Sequence, residues 1–409
     1  MNTTHSERQS PEQKETTQNR QQDNRERHDT PLYGGARGAA IRVLSRVDQS
    51  DSYLDKVLEK ELETSDLSNL DKSLLTEIVH GVVRWQSKLD WVLTGFYHGE
   101  FTKCITPVKN AMRIALYQIM FLDKIPPFAA VNESVEIIKR IKGIRSANVV
   151  NAVLRNILHH IGDIRYPKRE EDIARYLSIV YSHPQWMVKR WLEQFGEEQT
   201  EALLQANNKR PPLTLRINTL QTNIQDFITM LGERKVSFSQ SPYEERSITM
   251  QYMHNIRHSE AFNKGFFTVQ DVSATLAARL ANPAPGSLIY DLCAAPGGKA
   301  TFLAELMHDQ GKVVALDKYE AKLRYIRENA ERLKLQSIEP LAADARTFAP
   351  ETLADVVLVD APCSGTGTLS KKPDIKWKRE QDAIRLMAEA QKTILGHAAE
   401  LVKPGGVLV

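Results

Sequence analysis

At 409 residues, with 42% hydrophobic and 26% charged side chains, the chain can bury two or three separate cores and has an ordinary globular balance. Its apolar runs fall far short of a membrane span, and the first residues, MNTTHSERQSPEQKETTQNRQQ, lack the apolar stretch of a secretory signal. Three scattered cysteines, Cys104, Cys293 and Cys363, make neither a disulfide framework nor a CxxC metal site, so a cytoplasmic protein without a metal is expected, and a net charge of +3 leaves any nucleic-acid signal to local patches.

Residues 1–36 are rich in Gln, Asn, Arg, Glu and Thr, with no aromatic before Tyr33, and are expected to form a disordered tail. Acids at Glu7, Glu12, Asp23 and Glu26 argue against a basic RNA-binding arm. From 37 to 170 the patterning is helical. Ile41, Leu44 and Val47 recur at helical spacing, then Ile78, Val82 and Trp85, then Met112, Leu116, Ile119 and Met120. Pro126-Pro127 breaks the run, and Ala130–Lys142 and Ala147–Ile161 read as two further helices. Between Lys139 and Arg169 stand eight basic residues against the single acid Asp163. Charge alone fits a solvated helix face as well as phosphate binding, and Lys139, Arg140, Lys142 and Arg145 are the candidate RNA contacts.

Residues 171–264 read as a connector followed by a small α+β subdomain. Trp186–Phe195 is an aromatic-rich helix, Leu213–Asn218 alternates as a strand, Asn223 caps Ile224–Leu231, and short β-like runs follow at Val236–Phe238 and Ile248–Met250. His254 and His258 have metal-compatible spacing but no further ligand cluster. Phe266 and Phe267 can stack on bases, although a place in the core is the simpler reading.

Residues 265–409 have the rhythm of a doubly wound parallel sheet. Leu288–Tyr290 is a short buried strand closed by Asp291, a turn on Pro296-Gly297-Gly298 follows, and Lys299–His308 is a helix. Free N–H groups at that helix start, with two glycines that admit a close ligand, make a cradle. Its spacing is neither a Walker loop nor a dinucleotide fingerprint, which argues against a nicotinamide dehydrogenase. Further strands at Val313–Leu316, Leu341–Ala343 and Val356–Val359 lead to Asp317, Asp344 and Asp360, Tyr319–Leu333 is an amphipathic helix, and Leu401–Val409 begins a fifth strand. Four acids thus line the ligand edge. They would repel a pyrophosphate and suit a cationic, hydroxyl-bearing nucleoside, and S-adenosylmethionine fits. Cys363, on the loop after the fourth strand, is then a candidate nucleophile for C6 of a pyrimidine, which would make C5 accept a methyl group. Lys371, Lys372, Lys376, Lys378 and Arg379 around Trp377 suggest a basic loop that holds a base or its phosphates.

The motifs DLCAAPGGKA, VQDVSA (Val269–Ala274), DAPCSGTGTL and KKPDIKW closely resemble those of bacterial 16S rRNA cytosine-5 methyltransferases of the RsmB (Sun/Fmu) type. The helical region, with NESVEIIKR and NAVLRNIL, resembles the NusB-like RNA-binding domain of that subfamily. The resemblance covers all but the first 36 or so residues. It implies an α/β Rossmann-like methyltransferase domain (265–409), an all-α NusB-like domain (37–170) and the small α+β subdomain. S-adenosylmethionine would be bound by Cys293, Ala294, Ala295, Pro296, Gly297, Gly298 and Lys299 with Asp317 on the ribose, Asp344 near the adenine, and Asp360. The partner would be 16S rRNA, and a monomer is expected.

Family members use two cysteines: a Thr-Cys nucleophile after the fifth strand, and a Pro-Cys thiol, here Cys363, that assists product release. No Thr-Cys pair occurs in these 409 residues, so the resemblance implies a chain truncated at its C-terminus, with weak or no turnover. The same chemistry on tRNA or another RNA, or a non-catalytic RNA-binding or ribosome-assembly role, are the alternatives.

Overall fold

The computed structural model describes residues 32–251 and 256–409; residues 1–31 of the expected tail and His254 lie outside the described residues, and the end of that tail is corrected, since Gly35 and the buried Ala36 already open the first helix. The chain divides into two compact units: residues up to Lys209 with Thr366–Lys378, and Arg210–Gly365 with Arg379–Val409.

The first unit is helical. Its core is built by α1 (Gly35–Gln49), α2 (Leu54–Thr64), α3 (Asn69–Arg84), α4 (Gln86–Phe96), α5 (Thr106–Phe121) and α6 (Pro127–His159). Local signals set the ends: the Ser68 hydroxyl accepts from the Asp71 amide at the start of α3, and Pro127 opens α6 where a missing N–H costs nothing. α3 and α5 meet at Gly81, where a Cβ would sit 1.9 Å from the Tyr117 ring, and the Tyr117 hydroxyl donates to Glu77 at 2.8 Å. The two helices expected on either side of residue 143 are there within α6, joined at Gly143, whose φ of 80° and ψ of 174° are not helical and which only glycine adopts without strain. The Arg113 guanidinium, 5% exposed, is neutralised by Asp90 at 2.6 Å and Asp48 at 3.2 Å.

Two differences from the expected division concern this unit. α7 (Ile173–Val180) and α8 (Gln185–Asn208) belong to it rather than to a connector: Leu177, Met187, Val188, Trp191 and Leu204 bury a common face. That face also takes in Leu369 and Ile375, because Thr366–Lys378, which follows Cys363 in sequence, folds here. The Trp377 indole donates to the Val83 carbonyl at 2.7 Å and its ring packs on the helical core. Lys376, 1% exposed, donates to the carbonyls of Arg84 (2.8 Å) and Ser182 (2.7 Å), and burial with the nearby Arg84 cation lowers its pKa well below that of a free lysine.

In the second unit a four-stranded antiparallel sheet comes first. It comprises β1 (Leu213–Ile217), β2 (Phe238–Gln240), β3 (Ser247–Met250) and β4 (Phe267–Val269) in the order β2-β3-β1-β4. α9 (Ile224–Glu233), capped by Asn223, places Phe227 and Leu231 on Leu215, Ile217 and Met250. Phe267 is fully buried against Phe227 and Phe262, so its role is packing. After α10 (Val272–Leu280) comes a five-stranded parallel sheet of β5 (Leu288–Asp291), β6 (Lys312–Asp317), β7 (Ile338–Ala342), β8 (Ala354–Leu358) and β9 (Val402–Leu408). Its order is β7-β6-β5-β8-β9; α11 (Gly298–Leu306) is buried all round from Ala300 to Glu305, whereas α12 (Glu320–Leu333) and α13 (Gln381–Glu400) bury one stripe each. The strand order reverses between β5 and β8, which puts a ligand crevice at their carboxyl ends. No described helix is long and apolar enough to cross a membrane.

Replacing Trp377 by Ala should destabilise the helical unit by about 2–4 kcal/mol through a lost ring and an orphaned carbonyl. Lys372→Ala, on an exposed side chain, should change stability by less than about 0.5 kcal/mol. Denaturant unfolding followed by far-UV circular dichroism checks both, and equal effects would refute the assignment of Trp377 to the core.

Candidate active site

Strand β5 ends at Asp291, and the chain turns back through Leu292–Gly297 into α11. The turn is tied to both neighbouring strands: the Leu292 amide donates to Leu358 O at 3.0 Å and the Ala294 amide to Leu316 O at 2.7 Å. Gly297 caps the helix with φ 102°, and a Cβ there would press the Ile326 backbone at 3.3 Å. Asn329 donates to Pro296 O at 3.0 Å, and Arg216 donates to Gly298 O at 2.7 Å.

Three carboxylates close in on this turn from the ends of β5, β6 and β8. Asp291 is 1% exposed and neither of its oxygens has a hydrogen-bond partner. Burial pushes it up to about 7, with Asp360 and Asp317 adding to the rise against the pull of the Cys293 amide and Lys299. Asp317 is buried, accepts from the Tyr319 amide at 3.0 Å and meets Lys322 at 3.3 Å. Asp360 is exposed and paired with Lys299 at 2.6 Å. Asp344 stands further along, two residues past β7; Arg346 grips it with its guanidinium at 2.6 and 2.9 Å and with its amide at 3.0 Å, and holds its carboxyl well below the usual range. Lys318 adds a contact at 3.3 Å.

The two cysteines of this unit differ in kind. Burial, then the charges of Asp291, Asp317 and Asp360, push the half-buried Cys293 thiol up to about 12, which leaves it protonated and unreactive at neutral pH. Cys363 is exposed on the loop after β8. That loop is braced by Gln391 on Pro362 O (3.0 Å) and by Arg379 on Ser364 O (3.1 Å).

Of the residues expected to bind RNA, Lys139, Arg140, Lys142 and Arg145 are all exposed and flank the kink at Gly143. Lys139 also reaches Glu136 at 3.7 Å. Lys372 is exposed and Lys371 half-buried. Trp377, expected to hold a base, instead spends its indole N–H on Val83, which corrects that expectation: the basic run around it reads as a surface loop, yet its apolar members fit a helical core. Arg216, Gln270 and Asn329, which hold the turn from behind, were not among the expected site residues. One signal was available for Arg216: a cation amid Leu213, Leu215 and Ile217 in a strand needs a buried acid, and α11 supplies Glu305.

A parallel sheet with its crevice at the β5/β8 edge, a glycine turn and an acidic rim, preceded by a split β-α-β-β-α-β sheet and a helical unit, defines a Rossmann-like methyltransferase with accessory domains. Residues 35–159 match the NusB family, residues 183–257 the ferredoxin-like domain of RsmF/B-like methyltransferases, and residues 278–409 the 16S rRNA methyltransferase RsmB/F family. A probable ribosomal RNA small subunit methyltransferase B of Bacillus subtilis (strain 168) is 35% identical over 378 residues, 91% of this chain and 83% of the relative. The ribosomal RNA small subunit methyltransferase B of Cronobacter sakazakii is 32% identical over 376 residues, 91% and 85% of the two chains. The crystal structure of PH0851 superimposes with a TM-score of 0.77 at 27% identity, covering 93% of this chain and 85% of that one. The chain belongs to the ribosomal RNA small subunit methyltransferase B family.

Asp291 makes a testable contribution to stability. Its folded-state value of about 7 lies above the ordinary 3.8, so the native state favours the protonated acid. Nothing is lost below about pH 4, and stability falls as the pH rises from there to about 7, by up to about 4 kcal/mol. Asp291→Asn should therefore be the more stable protein at pH 8, with the gain vanishing near pH 4. Unfolding free energies of the two proteins across that range check it; parallel pH profiles would refute it.

Proposed function

We propose that this protein transfers the methyl group of S-adenosylmethionine to C5 of a cytidine in 16S rRNA. The observation that carries the reading is the buried, unpartnered Asp291 carboxylate within a rim of acids, at the crevice of a methyltransferase sheet. The residues present fit the cofactor. Its ammonium and sulfonium would neutralise Asp291 and the rim, and its ribose diol would donate to Asp317, whose second oxygen is held only by the loose Lys322 contact. The turn Cys293–Lys299 would lie under the methionine portion, Asp344 would stand near the adenine, and Asp360 with Lys299 would border the reacting end. S-adenosylmethionine supplies an electrophilic methyl group at its sulfonium.

The residues' own tasks follow from their placement. A cytosine C5 is a weak nucleophile until a thiolate adds to C6; after methylation the C5 proton leaves and the thiolate is expelled. Cys293, held protonated, is unsuited to either step. Cys363, exposed on its braced loop, is assigned to release of the methylated RNA, as the Pro-Cys motif implies. Lys139, Arg140, Lys142 and Arg145 would hold phosphates of the rRNA, so that affinity falls steeply with salt.

Two measurements test this. Asp317→Ala should weaken S-adenosylmethionine binding about ten- to hundredfold in calorimetry, the loss expected for hydrogen bonds to a carboxylate. Incubation with the cofactor and unmodified 16S rRNA, followed by digestion and mass spectrometry, reads the chemistry directly: 5-methylcytidine would establish C5 transfer and return Cys363 from product release to the role of the thiolate that adds to C6. Another methylated nucleoside would replace the C5 assignment. Cofactor and RNA binding without any methylated product would favour the binding-factor role.

A further inference from the structure

The turn that faces the cofactor crevice is held from its other side by the small four-stranded sheet. Arg216 on β1 is fully buried, and its guanidinium makes four hydrogen bonds, three to α11 and one to Gln270 between β4 and α10. Nη1 donates to Gly298 O at 2.7 Å and to Gln270 Oε1; Nη2 donates to Thr301 Oγ1 at 3.1 Å and Glu305 Oε1 at 2.8 Å; its plane lies 4.7 Å over Phe302. A second strut runs beside it. Arg332 on α12 donates to Phe267 O on β4 (2.9 Å) and to Asn329 Oδ1 (3.1 Å), and Asn329 donates to Pro296 O (3.0 Å). The carbonyls on either side of Gly297 are thus both pinned, one by the β1 arginine and one through an arginine anchored on β4.

We propose that Arg216 is a positioning residue of the methyltransferase site: by fixing the Gly298 carbonyl, with Gln270 as its partner, it sets the orientation of the Lys299 amide and of the turn that receives the cofactor. This rests on the reading that Cys293–Lys299 binds S-adenosylmethionine. The chemistry favours it over a stability role alone. A buried ion pair is seldom worth more than a well-packed apolar pair of the same volume, so an arginine–glutamate pair gains little as a mere fastener. What only a planar fork supplies is fixed direction onto several acceptors at once. A peptide's C=O and the following N–H point in opposite directions, so a clamped Gly298 O aims the Lys299 N–H, one of the unbonded donors at the helix start, toward the crevice. Gly298 O also accepts from Thr301 Oγ1 at 3.0 Å, which joins the half-buried carbonyl to the buried polar cluster of Arg216, Thr301 and Glu305.

The test compares Arg216→Lys, Gln270→Ala, and Phe227→Leu, which weakens the core of the same small sheet without touching the fork. Arg216→Lys should raise the Kd for S-adenosylmethionine about tenfold or more and speed amide exchange at 297–300, with Gln270→Ala showing the same change in smaller degree. Phe227→Leu should lower the unfolding midpoint yet bind the cofactor as the unaltered protein does. Should Arg216→Lys fail to fold, Gln270→Ala carries the comparison. Cofactor affinity within about twofold of the unaltered protein in Gln270→Ala and in folded Arg216→Lys overturns the proposal, as does an equal loss in Phe227→Leu. Failure of the unaltered protein to bind S-adenosylmethionine, with Asp317→Ala indistinguishable from it, removes the cofactor reading itself.

Discussion

A carboxylate kept out of water without a partner is the constraint on which the catalytic half depends. Asp291 ends the central strand of the sheet, where the strand order reverses, and only the weaker pulls of the Cys293 amide and of Lys299 offset its burial. The adjacent amides Leu292 and Ala294 are committed to β8 and β6, and Lys299 is drawn to Asp360 instead. An apolar residue at that place would make a better core. An acid there is a standing electrostatic demand for a cation, and the neighbouring Asp317 and Asp360 strengthen it. Burial, with these same charges adding to it, raises the Cys293 thiol on the turn.

Around that demand the turn has to be stiff, because backbone amides serve as ligands only when they do not move. Glycines make the turn possible and also make it floppy. The structure compensates from outside the parallel sheet, with Arg216 and Arg332 reaching the carbonyls of the turn directly or through Asn329. The ferredoxin-like sheet is accordingly part of the site's architecture and not a spacer before it.

The helical unit shows how charge in a sequence misleads. The run Lys371–Arg379 has the composition of an RNA-facing loop, but two of its residues do the opposite of what their type suggests. Lys376 is sunk among carbonyls that together replace its hydration, and Trp377 closes a hydrogen bond inside the helical core. By contrast Lys139, Arg140, Lys142 and Arg145 are exposed on either side of Gly143.

Taken alone, the amino-acid order determined the class of each element and the chemistry of the edge. Periodicity marks the helices, short apolar runs ending in Asp mark the parallel strands, and Pro296-Gly297-Gly298 marks the turn, because these features arise from local sterics and from which face must leave water. It also carried the family, through motifs long enough to be specific. Only the tertiary structure decided that Thr366–Lys378 and the helices from Ile173 to Asn208 belong with the helical unit, that burial raises the Cys293 thiol, and that Arg216 stands behind Gly298. Each of these depends on partners far apart in the chain: 82 residues separate Arg216 from Gly298, and 294 separate Val83 from Trp377. Burial and the desolvation of a charge are properties of what folds against a residue, and no local pattern records them.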